Sequence, residues 1–541
     1  MYRIHQLKLP LEHKSDDIKK AALAFLGLKE NDIEKTVVFK RSVDARNRED
    51  VFYIYAVDVY CKRKPLKKFK PNEAGPAEVF RYKLPERGGK ALNDPPVIIG
   101  FGPAGLFAAY ILSLAGFKPI VLERGKRAEE RQKDIDDFLS GKPLNPDSNV
   151  LFGEGGAGTF SDGKLNTLIK DRDGKGLFVL KTFVDFGADE DILYDSKPHI
   201  GTDKLSVIVK NMREKLISLG ADIRFNSRFN DFKTDNDRLC YISYSASDGS
   251  KESVNTELAI LATGHSARDV FKLLNDKKMH MSAKAFAIGV RAIHPQELIS
   301  KNQYGDFYRK LPAASYKLTA GLENGRSVYS FCMCPGGYVV NSSSEEGMLV
   351  VNGMSYSARD GAYANAAIIV NVTPEDFEKE GFGKTPLSGV EFQRKYERKA
   401  YEIGRGKIPV QNLKAFSEKR ECNETEAENS VKNAGLMIKG GITPADLNSC
   451  LPEFVCESLV EGFKIFDRKI KGFGVGSTIL AGIESRTSSP VRINRDENMF
   501  SSVKGLIPCG EGAGYAGGIM SAALDGIKAA ERIIKEYYPA Y

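Results

Sequence analysis

The sequence predicts an α/β fold with three parts: a doubly wound unit, a mainly β domain inserted into it, and a small α+β domain at the start of the chain. Three observations lead to this prediction. A strand–turn–helix–strand pattern with a glycine fingerprint spans residues 97–123, and two further glycine-rich turns follow apolar strands near residues 264 and 510. The β-rich segments between these turns carry no second fingerprint. A chain of 541 residues is also too long for a single core.

The glycine fingerprint carries most of this prediction. Residues 97–99 are a short apolar, β-branched run, which is typical of a buried parallel strand. Gly100, Gly102 and Gly105 follow with the spacing G-x-G-x-x-G. In this motif the first glycine permits a tight turn, the second lets a pyrophosphate approach the backbone, and the third lets the helix pack closely on the strand. The pattern therefore predicts a Rossmann-like, dinucleotide-binding unit.

The segment after the glycines completes the motif. Residues 104–114 predict an apolar helix whose N-terminus favours phosphate, because its free N–H groups and its dipole attract negative charge. Residues 118–122 predict the second strand. Glu123 ends that strand about 20 residues beyond the glycines, where an acid binds a ribose hydroxyl. Residues 97–117 carry no charge, but four glycines and a proline argue against a membrane-spanning helix.

The basic excess of the chain lies in its first 90 residues. The net charge is +8, and residues 1–90 hold 21 Lys and Arg against 13 Asp and Glu. Strands over residues 2–9, 35–41 and 51–61, with a helix over 16–26 capped by Ser15, predict a small α+β domain. The basic run at residues 62–70 has two interpretations, a solvated linker or a patch for an anionic partner such as nucleic acid.

The composition argues against a secreted protein, a disulfide-rich protein and a metal-binding protein. Residues 1–11 contain no apolar core of a signal peptide, and the eight cysteines are scattered without the spacing of a disulfide framework. We therefore expect a cytoplasmic protein in a reducing compartment, with no membrane partner. The six histidines show no ligand spacing and no C-x-x-C is present, so we expect no metal site.

A second glycine-rich segment spans residues 152–165, with the sequence FGEGGAGTFSDGKL. Its glycines permit a close approach of the backbone to a ligand. Ser161, Asp162 and Lys164 add a hydroxyl, an acid and a cation. We interpret this segment as a loop that wraps a cofactor, and a plain surface loop is the alternative.

The next apolar strand points to the same site. Phe229 begins a predicted hairpin, and residues 257–264 predict a buried strand that ends at Thr263 and Gly264. In a doubly wound sheet this strand end lies at the cofactor crevice. His265 follows directly and has two interpretations, a turn residue or a catalytic group.

The middle of the chain predicts the mainly β domain. The predicted strands cover residues 285–293, 328–334, 337–341, 348–354 and 366–372, and predicted helices cover 391–403 and 452–466. Cys332 and Cys334 stand two residues apart on one of these strands, so they are expected on the same face. They are either two core cysteines or a redox pair.

Two further features lie near the C-terminal end of the sequence. Arg486 lies among hydroxyl side chains at residues 484–490, where it either orients an anionic substrate by charge-assisted hydrogen bonds or holds a loop together. Residues 505–518 are rich in glycine and precede a predicted helix over 519–535. The N-terminus of that helix is a second site for negative charge.

Together these motifs resemble those of the glutathione-reductase-like superfamily of FAD proteins. The likeness rests on residues 100–105 with Glu123, on residues 262–264, and on residues 505–511 followed by Gly517 and Gly518. More narrowly, the chain resembles the uncharacterised bacterial FAD-dependent dehydrogenases, or NAD(FAD)-utilising dehydrogenases, that have a small N-terminal α+β domain. The segments that carry this narrower likeness are residues 155–165, 331–337 and 486–490.

The resemblance implies FAD as the cofactor and three domains. Residues 1–90 would form the small basic domain, residues 91–285 with 472–541 the FAD-binding domain, and residues 286–471 the inserted substrate or cap domain. The cofactor-binding residues that it implies are Gly100, Gly102, Pro103, Ala104, Gly105, Glu123, Arg124, Gly158, Ser161, Lys164, Leu165, Phe229, Thr263, Gly264, Gly510, Glu511, Gly517, Gly518 and Ile519.

The same likeness implies which part of FAD each segment approaches. Glu123 would bind the adenosine ribose, and Phe229 would lie near the adenine. Gly510 and Glu511 would approach the pyrophosphate and the ribityl chain. Residues 517–519 would approach the isoalloxazine ring.

We therefore expect an FAD-dependent oxidoreductase that transfers a hydride between flavin and a small, anionic substrate, with Arg486 and Lys164 as the catalytic candidates. The chain lacks a second nucleotide-binding unit and a C-x-x-x-x-C motif beside the first helix. These differences argue against tightly bound NADPH and against the disulfide relay of glutathione reductase, and leave NAD(P)H as a transient reductant. Two alternatives stay open: a flavoprotein docked to nucleic acid such as tRNA through the basic segment, and an FAD-binding scaffold without turnover.

Overall fold

The computed structural model describes all 541 residues, and its structure is mixed α/β. The first segment is a four-stranded antiparallel sheet, in the order β2-β3-β1-β4, with one helix. Its elements are β1 (Tyr2–Pro10), α1 (Ser15–Leu26), β2 (Ile33–Asp44), β3 (Phe52–Cys61) and β4 (Ala74–Pro76). The predicted strands and helix are confirmed, but the prediction that Ser15 caps the helix is wrong. Lys14 is the N-cap residue, and the Asp17 carboxylate accepts its N–H at 2.9 Å.

This first sheet is joined to the rest of the chain through Arg41. Its backbone exchanges hydrogen bonds with Tyr194 and Ser196, and its guanidinium forms an ion pair with Asp195 at 2.7 Å. The lysines and the arginine of the basic run at residues 62–70 are exposed. The two interpretations of that run therefore stay predictions.

The next segment contains most of a parallel sheet and its helices. Its elements are β5 (Lys90–Leu92), β6 (Val97–Ile99), α2 (Pro103–Leu114), β7 (Ile120–Leu122), α3 (Ala128–Leu139), α4 (Gly156–Thr159), α5 (Lys175–Asp185), α6 (Thr202–Ser218), β8 (Asp222–Arg224), β9 (Arg228–Asp235), β10 (Arg238–Ser245), β11 (Lys251–Asn255), β12 (Ala259–Leu261) and α7 (Arg268–Asp276).

The middle segment forms a second large sheet with its own helices. Its elements are β13 (Met281–Ala283), β14 (Phe286–Pro295), α8 (Gln296–Tyr304), β15 (Thr319–Gly321), β16 (Ser327–Cys334), β17 (Tyr338–Asn341), β18 (Val351–Met354), β19 (Tyr363–Val372), α9 (Pro374–Lys379), α10 (Ser388–Gly404), β20 (Ile408–Asn412), α11 (Leu413–Ser417), α12 (Glu424–Ala434), β21 (Ile438–Lys439), β22 (Ile442–Pro444), α13 (Glu453–Lys469) and β23 (Ile479–Glu484).

The last segment returns to the parallel sheet. Its elements are β24 (Val491–Ile493), β25 (Leu506–Pro508), α14 (Ile519–Ile534) and β26 (Tyr537–Pro539). None of the helices combines the length and the apolar character needed to cross a bilayer.

The parallel sheet has the strand order β25-β12-β6-β7-β8 and is apolar on both faces. Alternate residues of β6 show this, because Ile98 packs with the helices α2, α6 and α14, whereas Val97 and Ile99 pack with β9, β10 and α7 on the other side. Strands covered on both faces need continuous apolar runs, which is the pattern that the sequence has. The predicted parallel sheet is present, but helices cover only one of its faces, and the antiparallel strands β9–β11 with α7 cover the other.

The seven-stranded sheet has the order β15-β16-β19-β14-β23-β20-β22. All its pairs are antiparallel except β20 with β22. Two differences from the prediction stand out. The segment is not mainly β, because its helices α8–α13 contain more residues than its strands. The short helices among them were not predicted from the sequence. The strand β23 also belongs to this sheet, so the chain leaves the sheet only after Glu484 rather than before residue 472.

Candidate functional site

The carboxyl ends of three neighbouring parallel strands meet at one cleft. Ile99, Leu261 and Pro508 end β6, β12 and β25 and are register partners, so the turns that follow them lie side by side. The cleft has a volume of about 340 Å³ and is lined on its opposite side by residues of β16, β18 and β23. Ligand-binding pockets have volumes of roughly 300–1,000 Å³. The cleft therefore lies between the two large sheets and has the size of a binding site.

Most residues predicted to bind the cofactor line this cleft. They are Gly100, Gly102, Pro103, Ala104, Glu123, Arg124, Gly158, Ser161, Lys164, Phe229, Thr263, Gly264, Gly510, Glu511, Gly517, Gly518 and Ile519. Gly105 and Leu165 do not line it; Leu165 lies in the core between the parallel sheet and its helices. The structure thus brings residues from widely separated parts of the sequence to one surface.

Two glycines are required by the packing of the protein itself. A Cβ at Gly105 would lie 1.9 Å from the carbonyl oxygen of Gly100, a residue with a φ of +99°. Helix α2 therefore packs on β6 only with glycine at position 105. Gly526 on α14, which the sequence patterns did not single out, has the same role. A Cβ there would lie 2.1 Å from the carbonyl oxygen of Ala104. These contacts hold α2 and α14 close together beneath the cleft.

Other glycines leave space for a ligand. A Cβ at Gly264, Gly517 or Gly518 would meet no protein atom within 4 Å. Gly102 and Gly518 are the N-cap residues of α2 and α14, so two helix N-termini with free N–H groups lie at the cleft. An open glycine surface beside two such N-termini fits the pyrophosphate and the ring system of a dinucleotide.

Glu123 is held in place by the backbone around it. Its Oε1 accepts hydrogen bonds from the N–H groups of Gly125 and Gly153, and its Oε2 accepts one from Phe101, at 2.8–3.0 Å. The residue is 5% exposed. A carboxylate has about four acceptor positions, so one position on Oε2 remains for a ribose hydroxyl. The position and the unused acceptor suit the predicted role.

Arg131 orders the glycine-rich loop that packs against Gly102. Its side chain is fully buried and donates to four carbonyl oxygens of the segment 149–156 at 2.7–3.0 Å. Burial lowers its pKa to about 9. No sequence pattern singled out this residue, because it lies on a helix whose other charged residues are mostly exposed.

Lys164 and Arg359 share one carboxylate at the cleft. The Nζ of Lys164 lies 3.0 Å from Oδ2 of Asp162, but this ion pair lacks the geometry of a hydrogen bond, and the buried Nζ has no hydrogen-bond partner. Arg359 donates to the same Asp162 oxygen. Burial by itself would lower the pKa of Lys164, but the charge of Asp162 raises it, so the ammonium keeps its proton. Two cations beside one carboxylate leave a positive charge at this end of the cleft.

Arg486 also lines the cleft, but its guanidinium is paired within the protein. Its Nε and one terminal nitrogen donate to the two oxygens of Glu397 at 3.0 and 2.8 Å, and the other terminal nitrogen donates to Ser344 at 2.5 Å. Glu397 is fully buried and is also paired with Arg268 at 2.7 Å. These contacts fit the interpretation of Arg486 as a structural arginine.

His265 lies in the cleft in an uncharged state. Burial, and then the charges of Arg486 and Arg268, lower its pKa to about 4. One ring nitrogen is 2.9 Å from the hydroxyl of Ser266. A neutral imidazole with this local contact fits the turn interpretation.

The opposite wall contains an ion pair that the sequence did not indicate. Arg291 on β14 is fully buried, and its Nε donates to Glu484 at 2.5 Å. Burial raises the pKa of Glu484 to about 7, although Arg291 opposes this effect. The two residues lie almost 200 positions apart in sequence, so only the pairing of β14 with β23 brings them together.

The two cysteines of this wall do not follow regular strand geometry. The ladder between β16 and β19 is interrupted between Phe331 and Cys334, and Cys332 has a φ of +41°. The expectation that the two cysteines share a face of a regular strand is therefore wrong. Cys332 lines the cleft, whereas Cys334 is fully buried behind it.

Comparison with known proteins gives matches at two levels. Residues 285–487 match the family described as FAD-dependent protein, C-terminal domain-like, and residues 1–60 match a domain of unknown function, DUF8436. An uncharacterized protein of Clostridium beijerinckii is 44% identical over 543 residues, which cover 99% of each chain. The matched FAD-dependent family supports FAD as the cofactor of this flavoprotein.

Solved structures resemble the chain only weakly. A triple mutant of the flavin-dependent brominase Bmp2 is 12% identical, with 82% of this chain and 80% of that chain covered and a TM-score of 0.36. A flavocytochrome c3 fumarate reductase in its open conformation is 11% identical, with 83% and 78% covered and a TM-score of 0.34. Scores this low do not bear on the fold or the function of this chain.

Proposed function

We propose that this chain, which belongs to one family with the uncharacterized protein of Clostridium beijerinckii, is an FAD-dependent dehydrogenase that transfers a hydride between FAD and a small anionic substrate. One observation carries the proposal. Open glycine surfaces, two helix N-termini and Glu123 form one wall of a cleft whose far end is lined by Lys164, Cys332 and Glu484.

The residues present fit FAD along the length of the cleft. Glu123 would accept a ribose hydroxyl with the free acceptor position on Oε2. The N-terminus of α2 at Gly102 would hold the pyrophosphate, and the N-terminus of α14 at Gly518 would lie against the isoalloxazine. When bound, FAD would supply two-electron chemistry at its isoalloxazine ring.

The charges at the far end of the cleft support an anionic substrate. Lys164 and Arg359 share the single carboxylate of Asp162, so one positive charge is left without a partner. The Nζ of Lys164 has no hydrogen-bond partner, and a carboxylate or similar group on the substrate would satisfy it. We assign substrate orientation to Lys164 ahead of Arg486, because the donors of Arg486 are engaged by Glu397 and Ser344.

The visible absorption spectrum of the purified protein tests the first step. A flavin spectrum, with FAD released on denaturation in a ratio close to one per chain, is the expected result. Anaerobic addition of NADH and of NADPH then tests the reductant. Rapid bleaching by one of them indicates a reductase that passes electrons to an acceptor, whereas slow or no bleaching indicates that the substrate itself reduces the flavin. A protein that takes up no FAD, even after reconstitution, contradicts the proposal.

A further inference from the structure

Cys332 and Cys334 lie together at a break in strand β16, next to the cleft. The positive φ of Cys332 turns the backbone out of the ladder, and regular pairing resumes only at Cys334. The sulfur of Cys334 lies 3.2 Å from the carbonyl oxygen of Cys332. The break therefore brings two thiols together, one at the cleft surface and one directly behind it.

Two cations lie beside this pair. The Nη1 atom of Arg291 donates to the carbonyl oxygen of Cys332 at 3.1 Å and is 3.9 Å from the sulfur of Cys334. The buried Nζ of Lys164, which has no hydrogen-bond partner, lies on the cleft side and acts on both sulfurs by its charge. Positive charge near a thiol favours the thiolate, which is the form that reacts in disulfide exchange.

The effect on Cys332 differs from that on the other buried cysteines. The hydrogen bond from Cys334, followed by the charges of Lys164 and Arg291, lowers the pKa of Cys332 well below that of an ordinary thiol. Burial instead raises the pKa of Cys450, Cys456 and Cys509, which lie in the two large cores. An inert core cysteine is expected to behave like the latter three.

We propose that Cys332 and Cys334 are a redox pair that exchanges two electrons with the FAD bound in the same cleft. This inference rests on the proposed function. In the forward direction the Cys332 thiolate joins the sulfur of Cys334, the S–H bond of Cys334 breaks, one S–S bond forms, and the electron pair with one proton passes to oxidised FAD, which becomes the anionic two-electron-reduced flavin. In the reverse direction the reduced flavin returns the electron pair and the proton, and the disulfide opens to one thiolate and one thiol.

The pair gives the protein a second place to store electrons beside the flavin. Cys332 lines the cleft and would meet the flavin or a substrate, while Cys334 would close the disulfide from behind. The pair differs from the motif that the sequence lacks, because it comes from the seven-stranded sheet and not from the helix after the glycine fingerprint.

Differential alkylation of the FAD-loaded protein tests whether the disulfide forms. Trypsin cleaves after Arg326 and Arg359, and the peptide between them carries Cys332 and Cys334 as its only cysteines. After oxidation by diamide, that peptide should resist alkylation and weigh about 2 Da less than the reduced form, the loss of two hydrogens on disulfide formation. The peptide that contains Cys240 serves as the internal control, and it should stay alkylatable.

Anaerobic reductive titration tests whether the disulfide communicates with the flavin. The oxidised wild-type protein should take up about four electrons per FAD, two for each redox group, and Cys332→Ser and Cys334→Ser should take up about two. The matched control Cys240→Ser should keep the wild-type number. The wild-type titration and the peptide mass need no variant, so they decide the question even if Cys334→Ser does not fold.

Three results would overturn the inference. Alkylation of both thiols after oxidation, with an uptake of two electrons by the flavin, would leave the FAD function intact and remove the redox pair. Formation of a disulfide with equal electron uptake by wild type and Cys332→Ser would make the disulfide structural. A chain that binds no FAD removes the proposed function as well.

Discussion

The guanidinium of Arg486 and the carboxylate of Glu397 form a buried two-point ion pair at the edge of the cleft, with both N–O distances at 2.8–3.0 Å. Arg268 completes the cluster on the same carboxylate. Arg486 lies in the loop after β23 and Glu397 on α10, so the pair ties a helix of the second sheet to the loop that leads back to the parallel sheet. Arg486 therefore has mainly a structural role.

Replacement of Arg486 should therefore reduce the stability of the fold more than it reduces catalysis. We expect Arg486→Ala to lower the free energy of unfolding by on the order of 3 kcal/mol, because it leaves part of the buried Glu397 charge without compensation. Arg486→Lys should also be destabilising, since an ammonium cannot make the two-point contact. Urea denaturation measures both changes. Unchanged urea midpoints together with a raised KM would instead support substrate binding by Arg486.

Loss of Glu123 should weaken FAD binding. Glu123→Gln places an amide NH₂ where backbone N–H groups already donate. In the Oε1 position it loses the two hydrogen bonds from Gly125 and Gly153, and in the Oε2 position it loses the one from Phe101. We expect FAD affinity to fall by at least about tenfold, which corresponds to about 1.4 kcal/mol. Quenching of flavin fluorescence on titration of the apoprotein measures this change. The exposed Glu130, on α3, provides the control Glu130→Gln, which should bind FAD like wild type.

Two glycine substitutions should separate cofactor binding from folding. Gly517→Ala places a methyl group in open space, so the apoprotein should unfold like wild type while FAD affinity falls. Gly526→Ala drives a methyl group to 2.1 Å from the Ala104 carbonyl oxygen, so it should lower the thermal midpoint of the apoprotein. Differential scanning fluorimetry with and without FAD reads both effects. If FAD raises the thermal midpoint of the Gly517→Ala variant as much as that of wild type, the flavin does not lie against Gly517.

Lys164 should tune the flavin if it lies against the isoalloxazine. Reduced flavin carries negative charge at neutral pH, so removal of a nearby ammonium in Lys164→Met should make the midpoint potential of the bound FAD more negative. Lys164→Arg should keep most of the wild-type potential. Spectroelectrochemical titration gives the potentials, and Lys170→Met, at an exposed position, is the control. An unchanged midpoint potential in Lys164→Met would indicate that Lys164 contacts the substrate or Asp162 and not the isoalloxazine.

His294 should make the protein sensitive to acid. Its ring is buried and stacked on Phe473 at 4.1 Å, and burial lowers its pKa from 6.5 to about 4. The unfolded chain therefore binds a proton between these pH values while the folded chain does not, and stability falls as the pH drops from 6.5 to about 4. The expected slope from this group is at most about 1.4 kcal/mol per pH unit. His294→Gln should flatten the dependence of the urea midpoint on pH, and His5→Gln, at an exposed position, should not.

The sequence by itself determined the parallel sheet and most of one wall of the cleft. The glycine spacing, the apolar strand runs and Glu123 are local patterns, because a turn, a strand and a helix N-terminus depend on residues close together in the chain. The predicted segments around residues 100, 161, 264 and 517 line one cleft because the strands before most of them are neighbours in the sheet.

Only the tertiary structure decided the opposite wall. Glu484, Arg291 and Cys332 come together through pairing of β14 with β23 and through a break in β16, and no local pattern specifies either contact. Arg131 likewise looks like an exposed cation in the sequence, and for Arg486 the sequence left substrate binding and a structural role open. Their burial follows from carbonyl groups and a carboxylate that other segments supply. A charge is buried only where the fold provides its partners, so such residues are visible only once the chain is folded.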